Sequence, residues 1–255
     1  MSIARKQYDP ILKEKYGKKA LRSSFQVGWY IFIIGYGYSV IKDGPIDHFW
    51  IGGAQTDSSG LYVGLPFQDD PGLFTYCLIS HSYHFMHLIE TLFMNERQND
   101  FEQMLIHHTA TNILIVNANY GSGNRYGAII LFIHDVSEVF IKVARTLDSM
   151  EGYDISSFVF GYVPMVILWL WFRLMYFPWI IYDLLFVGHY PEHISYLNTC
   201  LRVQGFFCTC LLVLHVIWFK AILNIGYTFI KTGVGSDKVN DVQATSHKLA
   251  VRNLY

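Results

Sequence analysis

Six apolar stretches run through this 255-residue chain, and they decide which folds are open to it. They fall at residues 25–41, 73–94, 101–120, 126–145, 155–187 and 206–230. Most are close to the ~20 residues that a helix needs to cross a bilayer. Hydrophobic residues make up 52% of the chain and charged residues 15%, whereas about a quarter of a soluble domain is charged. The sequence therefore predicts an all-α integral membrane protein with six crossings.

Two of the six stretches are irregular. The first is short, and we expect its helix to begin within residues 21–24. The fifth is too long for one straight crossing and contains Pro164, Arg173 and Pro178, so it is either one broken, tilted helix or two pieces.

Basic residues are distributed unevenly along the chain, although the net charge is only −1. Most lie before the first stretch or near alternate helix ends: Lys13, Lys15, Lys18, Lys19, Arg22, Lys142, Arg145, Lys231, Lys238 and Lys248. With both termini in the cytosol, the opposite side keeps only Lys42, Arg125 and Arg202, as the positive-inside rule prefers. We interpret the basic amino-terminal segment as this topology signal and not as a nucleic-acid or specific lipid site.

One domain is the simplest account of the chain, since no repeat or shift in composition divides it. We expect a basic cytosolic segment over residues 1–21, a membrane domain over 22–231 and a cytosolic tail over 232–255. The final AVRNLY resembles a cloning-derived addition and carries no functional argument. The connection over residues 42–72 is rich in turn-forming residues, and we expect it to seal one end of the bundle. The four cysteines lack disulfide or zinc spacing and are interpreted as apolar filler.

The third stretch contains two adjacent histidines, His107 and His108. An ionisable group inside a membrane helix is costly, so its default interpretation is a functional site in the protein interior. Asn99 and Glu102 fit a capping box that starts this helix. From that start, His107 lies ~10 to 12 Å inside the helix, below the membrane surface but within reach of the cytosol.

The fourth stretch carries His134, Asp135 and Glu138 near its middle. The short GSGNR turn makes the third and fourth helices antiparallel neighbours, which lets the histidine pair meet His134 or Asp135 across one interface. A buried Asp near an imidazole can hold its tautomer and stabilise the imidazolium, as a general base or a nucleophilic histidine requires.

Polar residues also follow the histidines at helical spacing. Thr111 stands four residues after His107, and Asn112 four residues after His108. The alternative to a catalytic site is that these groups satisfy one another as polar contacts between helices.

A second histidine set, HSYHFMH, places His81, His84 and His87 three residues apart, with Glu90 following. One interpretation is a metal site, because histidine-rich boxes bind iron in membrane oxygenases and desaturases, and HxxxH recurs at residues 189–193. The spacing differs from the usual set of those enzymes. We favour the other interpretation, in which the stripe lines an acyl or head-group cavity.

Arg173 is a cation within the fifth apolar stretch. It could bind a phosphate of a large anionic substrate, or it could extend to a membrane interface, and the sequence does not choose between these roles.

Five segments together resemble the TLC domain of ceramide synthases over about residues 22–231. In order they are DFEQMLIHHTAT, NANY, NRYGAIILFIHDVSEVFIKVAR, RLMYFPWIIYD and LLVLHVIWFKAIL. The paired histidines and the His-Asp pair with a following acid resemble the Lag1 motif of that family. Two positions depart from the family pattern: Glu138 replaces an aspartate, and Lys142 stands where an acid is usual.

The resemblance implies a six-transmembrane-helix barrel around an acyl-chain cavity, located in the endoplasmic reticulum membrane. It implies transfer of a fatty acyl group from acyl-CoA to the amine of a sphingoid base. The matching catalytic positions are His107, His108, His134 and Asp135. The substrate-binding positions that we expect are His84, Thr111, Asn112, Glu138 and Arg173.

The expected partners are therefore fatty acyl-CoA as co-substrate, a sphingoid base and membrane lipids, without nucleic acid. No metal or other cofactor is expected, because a thioester is already activated. A homodimer is compatible with the sequence, although the sequence does not require one. Two alternatives stay open: a non-catalytic TLC protein that binds or senses lipid, and a metal-dependent lipid oxidase.

Overall fold

A computed structural model describes residues 10–42, 71–93, 101–120, 123–150, 152–188 and 195–233 of the chain. Within these ranges the regular structure is entirely helical. The helices are α1 (Pro10–Ile41), α2 (Pro71–Phe93), α3 (Phe101–Tyr120), α4 (Asn124–Asp148), α5 (Asp154–Val187) and α6 (Ser195–Thr232). The all-α prediction is confirmed for the described part, and each predicted apolar stretch falls on a helix of its own as far as it is described.

Helix α1 begins at Pro10, well before the start that the apolar pattern predicted. It thus includes much of the basic amino-terminal segment, whose Lys18 forms an exposed ion pair with Glu14 at 2.7 Å. The predicted capping box at the start of α3 involves Asn99 and Glu102. Glu102 lies in the first turn of the helix, whereas Asn99 is outside the described residues.

The long fifth stretch forms one continuous helix, α5, and not two pieces. The helix contains three wider, π-helical segments. These segments are Ser157–Tyr162, Trp169–Tyr176 and Asp183–Val187. Pro164 and Pro178 each stand two residues after such a segment ends. A proline cannot donate the usual helical hydrogen bond, so irregular turns around these positions are expected.

Helices α5 and α6 are long and apolar enough to cross a membrane, with mean hydropathies of 1.8 and 2.2 in their most apolar windows. Large apolar side chains also project from the surface of the described helices, for example Phe25, Phe93, Ile106, Phe186 and Ile230. Exposed apolar side chains in such numbers are typical of a surface that faces lipid.

The chain divides into two compact units. The first unit comprises Met1–Gly28, Glu138–Ile167 and Trp218–Tyr255. In it, a Cβ added to Gly161 would come within 2.6 Å of the Ala144 backbone nitrogen, and the Ser157 hydroxyl donates a hydrogen bond to the Ala144 carbonyl at 2.9 Å. Small residues at this contact allow α4 and α5 to approach closely.

The second unit comprises Trp29–Ser137 and Leu168–Ile217. Its core contains fully buried aromatic side chains, among them Tyr76, Tyr126, Tyr176 and Phe177. Helices α3 and α6 are joined by the Asn117 amide, which donates hydrogen bonds to Gln204 Oε1 at 2.8 Å and to the Cys200 carbonyl at 3.0 Å. All the predicted histidines of α2, α3 and α4 lie in this second unit.

Candidate active site

A row of imidazole rings runs through the second unit, and three helices contribute to its centre. His107 and His108 on α3 have ring centroids 5.4 Å apart. The His107 ring lies 6.5 Å from that of His215 on α6, and the His215 ring lies 4.9 Å from that of His134 on α4. On the other side, the His108 ring stacks on that of His87 on α2, at 5.8 Å and an interplanar angle of 12°. We call these five residues the histidine row.

The predicted meeting of the α3 pair with His134 therefore takes place through His215. The antiparallel arrangement brings His134 into electrostatic range of His107, and His215 fills the space between the two rings. His215 is fully buried, with Trp169 and Phe177 against its ring at 5.7 and 5.4 Å. Sequence reasoning missed His215 as a site residue. The available signal was a lone histidine in the most apolar helix, which by the same argument as for His107 marks a candidate site.

The tautomer of His134 is set by its own helix. Its Nδ1 lies 2.6 Å from the Ile130 carbonyl oxygen, one turn earlier. A carbonyl can only accept a hydrogen bond, so Nδ1 carries the proton and Nε2 holds the lone pair in the neutral ring. The sequence predicted that a carboxylate holds a tautomer here, whereas for His134 a backbone carbonyl does so.

Arg173 supports the same histidine from α5. Its Nε donates a hydrogen bond to Ser137 Oγ at 2.9 Å, and its Nη2 donates one to the His134 carbonyl at 3.0 Å. The guanidinium also lies over the Trp169 ring, 4.1 Å from its centroid. The residue is only 2% exposed, so it does not extend to a surface as one of the two predicted roles required. Its guanidinium holds α4 and α5 together at His134.

Asp135 is the acid of the predicted catalytic set, and its residue is 3% exposed. Adjacent residues on a helix point about 100° apart, so Asp135 and His134 face different neighbours. The carboxylate lies within electrostatic range of the buried Tyr76 phenol on α2.

The two predicted polar neighbours of the histidine pair, Asn112 and Thr111, have different surroundings. The Asn112 side chain donates hydrogen bonds to the carbonyls of His108 at 2.8 Å and of His84 at 3.3 Å, so it links α3 to α2 through the backbone and not through an imidazole. Thr111 and His84 line a narrow cavity together with His134.

That cavity has a volume of about 40 Å³ and a largely apolar wall. One water molecule occupies ~30 Å³ of the liquid, so the cavity accommodates a small group and not a long acyl chain. Because His134 and Thr111 both line it, the histidine row is bordered by a space that a small reacting group can enter.

Glu138 is the one predicted site residue that falls in the first unit. It forms an ion pair with Lys142 one turn later, with 3.8 Å between Oε2 and Nζ. The two departures from the family pattern thus contact each other.

The second histidine set divides between two surroundings. His87 belongs to the histidine row, whereas His81 borders an open groove of about 720 Å³ with Ser82 and Asn112. The predicted HxxxH at residues 189–193 lies outside the described residues.

Comparison with known proteins identifies the family. The sequence profile described as a TLC domain matches residues 19–224, which include the whole histidine row. The chain belongs to the TLC-domain family. The resemblance drawn from the paired histidines and the His-Asp motif is confirmed.

Several relatives of this TLC protein are named as ceramide synthases. Ceramide synthase 1 LOH3 of Arabidopsis thaliana is 32% identical over 67% of this chain and 54% of its own length. Ceramide synthase hyl-1 of Caenorhabditis elegans is 26% identical over 88% of this chain and 61% of its own length. Ceramide synthase 4 of Bos taurus is 29% identical over 68% of this chain and 43% of its own length.

This TLC protein spans about half the length of the curated relatives it matches. Membership of the family and the apolar helices α5 and α6 together indicate a membrane protein.

Proposed function

We propose that this TLC protein is a ceramide synthase, which transfers a fatty acyl group from acyl-CoA to the amine of a sphingoid base. The observation that carries the proposal is the histidine row, in which His107 and His134 meet through His215, with the Arg173 guanidinium bound to the His134 carbonyl. The relatives named as ceramide synthases support the choice of substrates.

In the first step, the unprotonated nitrogen of the His107 imidazole attacks the carbonyl carbon of the thioester. The carbon–sulfur bond breaks, and the proton on the other ring nitrogen is transferred to the CoA thiolate. An acyl-imidazole and a CoA thiol result, and the step balances without a further reactant.

In the second step, the long-chain ammonium loses one proton to a neighbouring imidazole and attacks the acyl-imidazole as a free amine. The carbon–nitrogen bond to His107 breaks, and the second amine proton returns to the ring. Histidine suits this task because its ordinary pKa is close to neutral pH. In the alternative route the amine attacks the thioester directly and His107 acts only as the base.

The remaining residues orient the reacting imidazoles and stabilise the charge that develops on them. His134 presents the lone pair of Nε2, because Nδ1 is held by the Ile130 carbonyl. Asp135 offsets the positive charge that develops on the row, and Arg173 keeps His134 in place through its backbone. Thr111 and His84 shape the space next to the reacting carbonyl, and Asn112 holds the backbones of α3 and α2 together beside it. The reaction needs no metal, since a thioester is already activated.

The membrane arrangement is part of the same proposal. Six crossings form a barrel with both termini in the cytosol, in the endoplasmic reticulum membrane, so that CoA enters from the cytosol and both lipid chains from the bilayer. Burying an acyl chain contributes ~0.8 kcal/mol per methylene. The cavity beside His134 is too narrow for such a chain, so the helices that line it separate when the chain binds.

Intact-protein mass spectrometry tests the proposal. Detergent-purified protein is incubated with a fatty acyl-CoA and then with sphinganine, and the wild type is compared with His107→Ala and with Thr228→Ala as a control at a surface position of the first unit. We expect an added acyl mass in the wild type and the control that disappears as the N-acyl base forms, and neither adduct nor product in His107→Ala.

Product without an adduct supports the direct route. Neither product nor adduct across several chain lengths contradicts the acyltransferase and favours the non-catalytic, lipid-binding alternative. Unchanged product formation by His107→Ala contradicts the role of that histidine.

A further inference from the structure

The proposed acylation produces one proton per turnover, and this follows from its balance. An ammonium and a thioester give an amide, a thiol and a free proton. Of the two protons lost by the nitrogen, one ends on the CoA sulfur, because a thiol with an ordinary pKa of about 8.5 is protonated at neutral pH. The other is left on an imidazole. A positive charge that stays in an apolar interior is costly, so the site needs a way to return this proton to water after each turnover.

The histidine row ends on α2 in a pair that the proposed chemistry does not use. His87 stacks on His108, and its Nδ1 lies 3.3 Å from Glu90 Oε2 one turn further along α2. The Tyr83 ring packs edge-on against His87, with 4.5 Å between ring centroids, and Trp29 stacks on Tyr83 at 4.5 Å. The imidazole of His87 is thereby held between a buried histidine and a carboxylate.

Exposure rises along this end of the row. His108 is 8% exposed, the His87 side chain 18% and the Glu90 side chain 36%. Glu90 also stands closer than His87 to the end of α2 at Phe93. At ~1.5 Å per residue, His87 lies ~9 Å and Glu90 ~4.5 Å from that end along the helix axis. The three groups therefore lead from the interior toward one end of the helix.

We propose that His87 and Glu90 form a proton exit, which carries the proton of each turnover from the paired histidines of α3 to water. The His108 imidazolium passes its proton to the His87 ring through one bridging water molecule. The His87 imidazolium is stabilised by the Glu90 carboxylate and then releases the proton to solvent. No group is oxidised or consumed, and both histidines return to their neutral state.

The groups that face His87 agree with this role. Among the described residues they include the Tyr83 ring and the Glu90 carboxylate on its own helix and the His108 ring on α3. The carboxylate is the one that stabilises an imidazolium at His87, and it stands on the side that leads to the end of α2. A purely structural pair of this spacing would hold the turn together without taking part in turnover.

The inference rests on the proposed ceramide synthase activity, and its test separates the two. The full chain is purified in detergent, and formation of N-acyl sphinganine from acyl-CoA is measured for wild type, His87→Ala, Glu90→Gln and Glu102→Gln. The last is a matched control, since Glu102 is an exposed acid in the first turn of α3. Rates are measured at one pH in dilute buffer and then with increasing imidazole, which carries protons in place of the missing side chain.

We expect kcat to fall about tenfold in His87→Ala and Glu90→Gln, with a larger solvent deuterium isotope effect and little change in KM. Added imidazole restores His87→Ala toward the wild-type rate and leaves wild type and Glu102→Gln unchanged. Wild-type rates in both variants overturn the proton exit. A lower rate also overturns it if added imidazole does not restore the rate and the isotope effect is unchanged. Absence of product from the wild type itself overturns the proposed function and this inference with it.

Discussion

The Nη2 atom of Arg173 donates a hydrogen bond to the main-chain carbonyl of His134, 3.0 Å away, across the contact between α5 and α4. The same guanidinium uses Nε on Ser137, one turn further along α4. Two donors of one planar group thus fix the segment of α4 that carries His134. The contact makes Arg173 a positioning residue for the histidine row.

Replacement of Arg173 by lysine should lower activity mainly through kcat. Lysine keeps the positive charge but lacks the planar fork that reaches two acceptors, so His134 loses part of its support. We expect roughly a tenfold fall in kcat with a small change in KM for acyl-CoA. Steady-state kinetics with varied acyl-CoA measure both constants.

The same measurement decides the other role predicted for Arg173. A residue that binds a phosphate of CoA would raise KM for acyl-CoA when replaced, while kcat stays near the wild-type value. That result would contradict the positioning role.

Replacement of His215 by phenylalanine should reduce turnover without unfolding the protein. Phenylalanine fills a similar space between Trp169 and Phe177 but cannot accept or donate a proton, so the row is interrupted between His107 and His134. We expect a loss of about 100-fold in kcat, at the low end of the range for groups in proton transfer. Product formation and thermal unfolding in detergent are measured together.

Tyr227→Phe is the control for that experiment, because Tyr227 is an exposed residue of α6 in the first unit and is not part of the row. Equal rates for His215→Phe and wild type would show that the ring only fills space.

Replacement of Gly161 by leucine should destabilise the first unit. Even a Cβ at this position would lie 2.6 Å from the Ala144 nitrogen, which is main chain and cannot turn aside as a side chain would. Overpacking of this kind costs about 1–3 kcal/mol, and we expect a lower melting temperature in detergent. Gly28→Leu is the matched control, since no atom lies within 4 Å of a Cβ at Gly28. Equal melting temperatures for the two variants would contradict close packing at Gly161.

Replacement of Asn117 by leucine should weaken the link between α3 and α6. The amide donates to Gln204 and to the Cys200 carbonyl, and Gln204 is only 1% exposed. Leaving such a buried polar group without its partner costs about 1–3 kcal/mol in unfolding free energy. Thermal unfolding of the single variants and of Asn117→Leu with Gln204→Leu measures the coupling. We expect the double variant to lose less unfolding free energy than the two single variants lose together. A loss equal to that sum would contradict a direct link between the two side chains.

Local features of the chain determined much of what could be predicted. The apolar stretches placed the six described helices, because a single segment in lipid can satisfy its backbone hydrogen bonds within itself only as a helix. The adjacent pairs His107–His108 and His134–Asp135 marked the site because ionisable residues are costly in such stretches. The short turn before Asn124 made α3 and α4 neighbours.

Only the tertiary structure decided which groups meet. His215 and His87 carried no adjacent partner in the chain, and they join the row because α6 and α2 turn those faces toward α3. The sequence left Arg173 with two roles, whereas its hydrogen bonds to Ser137 and His134 give it a third. The physical reason is that spacing along a helix sets which residues share a face, while the rotation of each helix against its neighbours depends on packing between distant parts of the chain.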